Sequence, residues 1–195
     1  MQELPEKLSV NEILGRKILI VGDVGTGKTA FTAQILKKLI DFGLKNEITI
    51  IDMAPKTLFF SGKRIGGRLD EYTNLVQKVK YLIPAVVYPP RLASKNSREL
   101  LYFAKENLKN IDPLINEYLK IPTKILIIND VSIYFHAGDL DKILQCVNRA
   151  ETFIANSYYG ETLKNDFGTG ISRRERNLVE QLMKYMSKIF RLNKY

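Results

Sequence analysis

Residues Lys17 to Phe42 constrain this chain more than any other stretch. Ile18-Leu19-Ile20-Val21 is an unbroken apolar run, the pattern of a strand covered on both faces of a parallel sheet. It leads directly into Gly22-Asp23-Val24-Gly25-Thr26-Gly27-Lys28-Thr29. Phe31, Ile35, Leu39 and Phe42 then recur at helical spacing, and Gly43 supplies a stop. Strand, glycine-rich turn and helix therefore follow one another without a gap. Glycines at such a turn let the backbone curl until its N–H groups converge on an anion. The helix that opens near Lys28 adds the positive end of its dipole at the same place.

Gly22 to Thr29 matches G-x-x-x-x-G-K-[ST], the Walker A pattern, and in this the chain resembles the P-loop NTPase superfamily. The resemblance implies a nucleotide held by Gly22, Asp23, Val24, Gly25, Thr26, Gly27, Lys28, Thr29 and Ala30. Lys28 is expected to reach the β- and γ-phosphates and the Thr29 hydroxyl to bind Mg²⁺. A second stretch, Ile125-Leu126-Ile127-Ile128-Asn129-Asp130, resembles a Walker B strand, which implies a Mg²⁺-holding role for Asp130. Many ATPases of the superfamily place Glu directly after the Walker B Asp; here Asn129-Asp130-Val131-Ser132 stands instead. Either Asp130 takes the metal position and the base lies elsewhere, or Asn129 takes it and Asp130 is the base. The first is preferred, because a hard cation favours carboxylate over amide oxygen. Neither a D-x-x-G switch nor an N-K-x-D guanine-reading motif is present, which favours ATP over GTP.

Further candidates lie at strand ends and in basic segments. Glu47 to Asp52 reads as a strand ending in a carboxylate, and Asp52 is a candidate for water activation, an outer contact to Mg²⁺ or a substrate contact, or else a strand-end cap or turn carboxylate. Ser61-Gly62-Lys63-Arg64-Ile65-Gly66-Gly67-Arg68 reads as a positive loop able to cover a bound molecule. Asn156-Ser157, at the end of a strand from Glu151, stands where related ATPases keep a polar sensor. Gly168-Thr169-Gly170 precedes Ser172-Arg173-Arg174-Glu175, read as a capping box with Ser172 at the N-cap. Arg173, Arg174 and Arg176 would then crowd a helix start that disfavours cations, which makes them, Arg173 and Arg174 foremost, candidates for contact with a phosphate or with a neighbouring subunit's nucleotide; the alternative is a solvated basic face.

The remaining pattern fills in the elements. Asp70 is expected to cap a helix carrying Leu75, Val76 and Val79, and Ala85 to Tyr88 to form a strand stopped by Pro89-Pro90. A helix over Ser97–Leu108 is expected to be followed by a separate one opened by Asp112-Pro113. Asp139-Leu140 opens another, and Ile189 to Leu192 is the last strand.

The 195 residues suit a single domain, with 1–16 as a lead-in and 53–122 as a helical insertion before the Walker B strand. There is no apolar run of transmembrane length, and Met1 to Lys7 lacks the apolar core of a secretion signal. The single cysteine, Cys146, excludes an internal disulfide and reads as packing, in keeping with a cytoplasmic protein. One histidine and one cysteine exclude a transition-metal cluster of the zinc type. A net charge of +9 leaves nucleic acid open as a partner.

The expected fold is α/β: the three-layer P-loop NTPase arrangement, a mainly parallel sheet of about five strands with helices on both faces. The expected function is a Mg²⁺-dependent ATPase, self-assembling or serving a nucleic-acid-linked process. The alternatives are a small-molecule phosphotransferase and a nucleotide-binding switch or scaffold without useful turnover.

Overall fold

The computed structural model describes residues 8–60, 63–65 and 67–193. Among the described residues six strands form the main sheet: β1 (Lys17–Gly22), β2 (Ile48–Asp52), β5 (Lys80–Leu82), β6 (Ile125–Asn129), β7 (Thr152–Tyr158) and β8 (Lys188–Leu192). Their order is β5-β2-β6-β7-β1-β8, and every pairing is parallel. All six carboxyl ends therefore share one edge. A separate two-stranded antiparallel ribbon pairs β3 (Leu58–Phe60) with β4 (Lys63–Ile65).

Alternate side chains of the central strands serve two cores, as period-two geometry requires. Ile18, Ile20, Ile48, Ile50, Ile125, Ile127 and Ile154 face α1 (Lys28–Asp41), which buries Phe31, Ile35, Leu36 and Leu39 against them. Leu8 and Ile13, near the end of the lead-in, are buried in the same core. Leu19, Val21, Leu126, Ile128, Phe153 and Ala155 face the opposite way. They pack on α3 (Ser97–Lys120), α4 (Val131–Phe135), α5 (Leu140–Arg149) and α6 (Ile171–Met183). Helices thus cover both faces of a parallel sheet, which is the three-layer α/β fold expected. Cys146 is fully buried on α5, and burial pushes its thiol up to about 12, so it packs rather than reacts.

Several local expectations are overturned. Segment 53–122 is not purely helical, since it carries the β3–β4 ribbon and adds β5 to the sheet edge. Ala85 to Tyr88 is not a strand. Its backbone is bound instead by side chains of α3: Asn107 accepts from Tyr88 N–H and donates to Tyr88 C=O, both at 2.8 Å, and Asn110 donates to Val86 C=O at 3.1 Å. Among the described residues Asp70 caps no helix; it pairs with Arg68, while Thr73 caps the 3₁₀ turn Asn74–Lys78. Asp112-Pro113 does not start a helix, because α3 runs through it. The Asp112 carboxylate serves Lys142 at 2.5 Å and Tyr134 at 3.3 Å, tying α3 to α4 and α5. In the basic loop expected at 61–68, Ser61, Gly62 and Gly66 lie outside the described residues.

Candidate functional site

The glycine loop occupies the carboxyl edge of β1. Gly25 and Gly27 have φ of 74° and 88°, left-handed values that side-chain-bearing residues rarely adopt. Gly22 is glycine for a different reason: a Cβ there would lie 2.5 Å from Leu192 C=O and 2.6 Å from Thr26 Oγ1. Gly27 stands at the N-cap of α1, so the helix start opens directly on the loop. The Asp23 carbonyl accepts from Lys28 Nζ at 2.7 Å and from Thr26 Oγ1 at 2.9 Å. The ammonium is thereby held across the mouth of the loop. These residues fit a nucleotide's phosphates: open left-handed glycines, a helix N-terminus and one cation converge on one place.

The Asp23 carboxylate looks outward from the loop. It accepts from Glu161 N–H at 3.2 Å and Thr162 Oγ1 at 2.8 Å. Gly160 has to be glycine here, because a Cβ would sit inside the Asp23 side chain. The loop after β7 is therefore seated on the glycine loop.

Behind the edge runs a buried polar chain. Parallel register sets Asp52 at the end of β2 beside Asn129 at the end of β6. Asn129 donates to Asp52 Oδ1 at 2.7 Å and to Gly67 C=O at 3.3 Å, and its Oδ1 accepts from Asn156 at 2.6 Å. Asn156 also donates to Thr32 Oγ1 at 2.9 Å and accepts from Asp130 N–H at 2.9 Å. Thr32 in turn donates to Lys28 C=O at 3.0 Å. One amide, Asn156, thus joins Asp130 to the first turn of the helix that carries Lys28.

Asp130 follows β6 with φ 60° and ψ 59°, a left-handed conformation that costs roughly 1–2 kcal/mol outside glycine. Asn156 and Ser132 hold it there. Ser132 Oγ donates to Asp130 Oδ1 and accepts from Tyr158 N–H at 3.2 Å. Burial raises the Asp130 carboxyl above its ordinary value, against the Ser132 hydrogen bond and the charge of Lys28. Asn129, the other reading of the metal position, is fully buried with its oxygen engaged by Asn156.

Asp52 is also fully buried, and its carboxylate accepts from Leu69 N–H, Tyr81 Oη, Asn129 Nδ2 and Ala54 N–H. Burial still pushes it up to about 6. Its surroundings make it an anchor for the chain after β2 rather than a group facing a ligand.

The arginine turn differs from its expected form. Gly170, not Ser172, is the N-cap of α6, and Asp166 accepts the Ser172 N–H at 3.1 Å. Glu175 closes no capping box. It receives both Arg91 amino groups, at 2.6 and 3.0 Å, and lies 3.1 Å from His136 Nε2, all three side chains being buried. Burial works to raise the Glu175 carboxyl, but the Arg91 charge and His136 outweigh it and hold it low. Arg174 turns to Gly138 C=O and Asp139, and Arg176 to Gly160 C=O and Glu161. Arg173 lines a cavity that includes none of the residues from Gly22 to Ala30. Sequence reasoning missed the Arg91–Glu175–His136 cluster, whose members are too far apart in the chain to form a local pattern.

A family model described as "Helicase HerA, central domain" (DUF87) matches residues 1–54. No curated protein matches the chain. Among solved structures, the Pif1 helicase from Candida albicans superposes with a TM-score of 0.40 at 14% identity over 92% of this chain and 36% of that one. The chain thus spans about a third of the length of that structure. The DnaC helicase loader gives a TM-score of 0.41 at 12% identity, over 92% of this chain and 80% of that one. Among the described residues no helix is long and apolar enough to cross a membrane.

Proposed function

We propose that this chain, a member of the P-loop NTPase superfamily, is a Mg²⁺-dependent ATPase that serves a nucleic-acid-linked process. The observation that carries the reading is the joint placement of Lys28 and Asp130. Asn156 binds the backbone of Asp130 and, through Thr32, the first turn of α1, so cation and carboxylate are fixed to one frame. Lys28 would exchange the Asp23 carbonyl for the β- and γ-phosphate oxygens, a charge-assisted contact stronger than the one it leaves. Thr29 and Asp130 would hold Mg²⁺. When bound, the ion supplies charge neutralisation on the phosphate oxygens. Ser132 keeps the Asp130 carboxylate aimed, and Asp52, through Asn129, keeps the edge of β6 in register. The nucleic-acid link is supported by the net charge of +9 and by the likeness of residues 1–54 to the central domain of helicase HerA.

The phosphotransferase reading is favoured by one feature, a cavity of about 220 Å³ beyond β2 lined by Pro55, Lys56, Arg68 and Val87. Asp52, the base that reading would use, is turned away into the protein.

Calorimetric titration with ATP tests the main reading. Lys28→Ala is expected to weaken ATP binding by about 1.5–3 kcal/mol, roughly ten- to a hundredfold, with the melting temperature little changed. Asp130→Asn is expected to weaken binding of the Mg²⁺ complex more than that of metal-free ATP. Unchanged affinity in Lys28→Ala would remove the phosphate-loop reading, and equal losses with and without Mg²⁺ would remove Asp130 from the metal. Phosphate release measured with nucleic acid and with small acceptors separates hydrolysis from transfer.

A further inference from the structure

The arginine turn belongs to a second concavity. A cavity of about 360 Å³ opens between the loop after β7 and the first turns of α6, with α2 (Pro90–Ala93) contributing Arg91. Arg91, Lys164, Arg173 and Arg176 line it together with Tyr158 and Tyr159. Its floor is electrically balanced, because Arg91 and Glu175 are paired and buried. Its rim is not. Lys164 and Arg176 share a single carboxylate, Glu161, at 2.6 Å each. Arg173 has no carboxylate partner among the described residues, and it stands in the first turn of α6, where the helix dipole repels it. Three exposed or half-exposed cations around one acidic group, over a floor with no net charge, make a site for an anion from outside.

We propose that this cavity takes a phosphodiester of single-stranded nucleic acid, with Arg173, Arg176 and Lys164 on the phosphate. The proposal rests on the nucleic-acid-linked reading above and gives it a location. Guanidinium forks match phosphate oxygens in pairs. Room of this size lies at the lower end of ligand pockets, roughly 300–1,000 Å³, and suits one unpaired nucleotide rather than a rigid duplex. The tyrosines add apolar walls of the kind that border single strands, here already backed by Arg91 on Tyr158 at 4.9 Å and Arg176 on Tyr159 at 4.6 Å. An acidic peptide would find the same charges without needing a pocket.

The site is also joined to the nucleotide loop. Arg176 holds Gly160 C=O at 3.2 Å, and the next two residues, Glu161 and Thr162, bind the Asp23 carboxylate. A phosphate drawn to Arg176 therefore pulls on the segment that rests on Asp23.

Fluorescence anisotropy of a labelled oligothymidylate of roughly fifteen nucleotides, read across a salt series, tests the proposal. Arg173→Glu should weaken binding at least tenfold and flatten the log–log salt slope by about 0.7 for the lost phosphate contact. Lys164→Glu is a second variant at an exposed position and should act in the same direction. Lys37→Glu, on exposed α1 surface far along the chain, changes the net charge equally and should weaken binding less than twofold. Lys28→Ala should weaken ATP binding as above and leave oligonucleotide affinity unchanged, which separates this site from the phosphate loop. Equal losses in Arg173→Glu and Lys37→Glu overturn the proposal, since net charge alone would then explain binding. So do displacement of the oligonucleotide by millimolar inorganic phosphate, equal affinity for polyglutamate, and absence of oligonucleotide binding in protein that binds ATP. If the oligonucleotide binds as described and ATP does not, the ATPase reading fails and this site stands.

Discussion

Asp52 shows how far a hydrogen-bonded carboxylate can be from comfortable. It accepts four donors, yet removal from water outweighs them and raises it from 3.8 to about 6. The consequence for stability has a definite sign. Below about pH 4 folded and unfolded chains both hold the proton. Between about 4 and about 6 the unfolded chain releases it and the folded one keeps it, so stability falls as pH rises through that window and stays lowered above it. At 1.36 kcal/mol per unit, the fall is roughly 3 kcal/mol. Asp52→Asn forfeits a hydrogen bond at every pH but carries no such slope. Urea unfolding of both proteins from pH 4 to pH 7 should show the wild-type advantage shrinking by about 2–3 kcal/mol. A difference that is flat with pH would mean that Asp52 is ionised at little cost, and that its burial is looser than the structure has it.

Among elements, the segment from Ala85 to Tyr88 is the clearest case of tertiary structure overruling local preference. Its β-branched residues favour a strand, but it follows Pro84, and its polar backbone groups find amide partners on α3 instead of a neighbouring strand. Asn107 is fully buried and satisfies both backbone groups of Tyr88. Asn107→Ala should cost about 1–3 kcal/mol through those unpaired groups, whereas Asn110→Ala, at a more exposed bond, should cost less than about 1 kcal/mol. Thermal melts and amide exchange at Tyr88 read both; equal effects would show that the strap does not depend on Asn107. The same contrast explains which elements could be read in advance. The strands β1 and β6 announced themselves because burial on both faces demands unbroken apolar runs, and β2 and β7 through β-branched and aromatic residues. The strand β5 is a three-residue edge, Lys80-Tyr81-Leu82, with too little burial to leave a pattern. Asp112-Pro113 looked like a helix start because its local chemistry suits one, but Asp112 is spent on Tyr134 and Lys142, two residues a local reading cannot see. Glu175 misled for the same reason, its true partner Arg91 being 84 residues away. Of the candidate site, the glycine loop and Asp130 stand out in the sequence as motifs. Asn156 was visible only as a position, and its bridging role needs the parallel register of β6 and β7 to exist.

At the scale of the whole molecule, the parallel sheet gathers every polar group of interest at one edge, and two paths of contact leave the glycine loop from there. One is internal, from Thr32 through Asn156 and Asn129 to Asp52, and locks the edge as a rigid frame. The other is external, from the Asp23 carboxylate to Glu161 and Thr162, then from Gly160 and Glu161 to Arg176 on α6. The internal path has no slack, since its members are fully buried and mutually bonded. The external one is exposed and can open at modest cost, so a change at the loop should travel that way. In the proposed function, nucleotide binding would draw Lys28 off the Asp23 carbonyl and reshape the residue whose side chain holds the external path. Hydrogen exchange with and without Mg²⁺–ATP should therefore change at residues 158–165 and the first turns of α6 as well as at the loop itself. In Asp23→Ala the distant change should vanish while protection of the glycine loop persists, because the substitution leaves the loop amides in place. If the distant change survives in Asp23→Ala, coupling runs through the internal chain instead, and Asn156→Ala, not Asp23→Ala, would be the variant that breaks it.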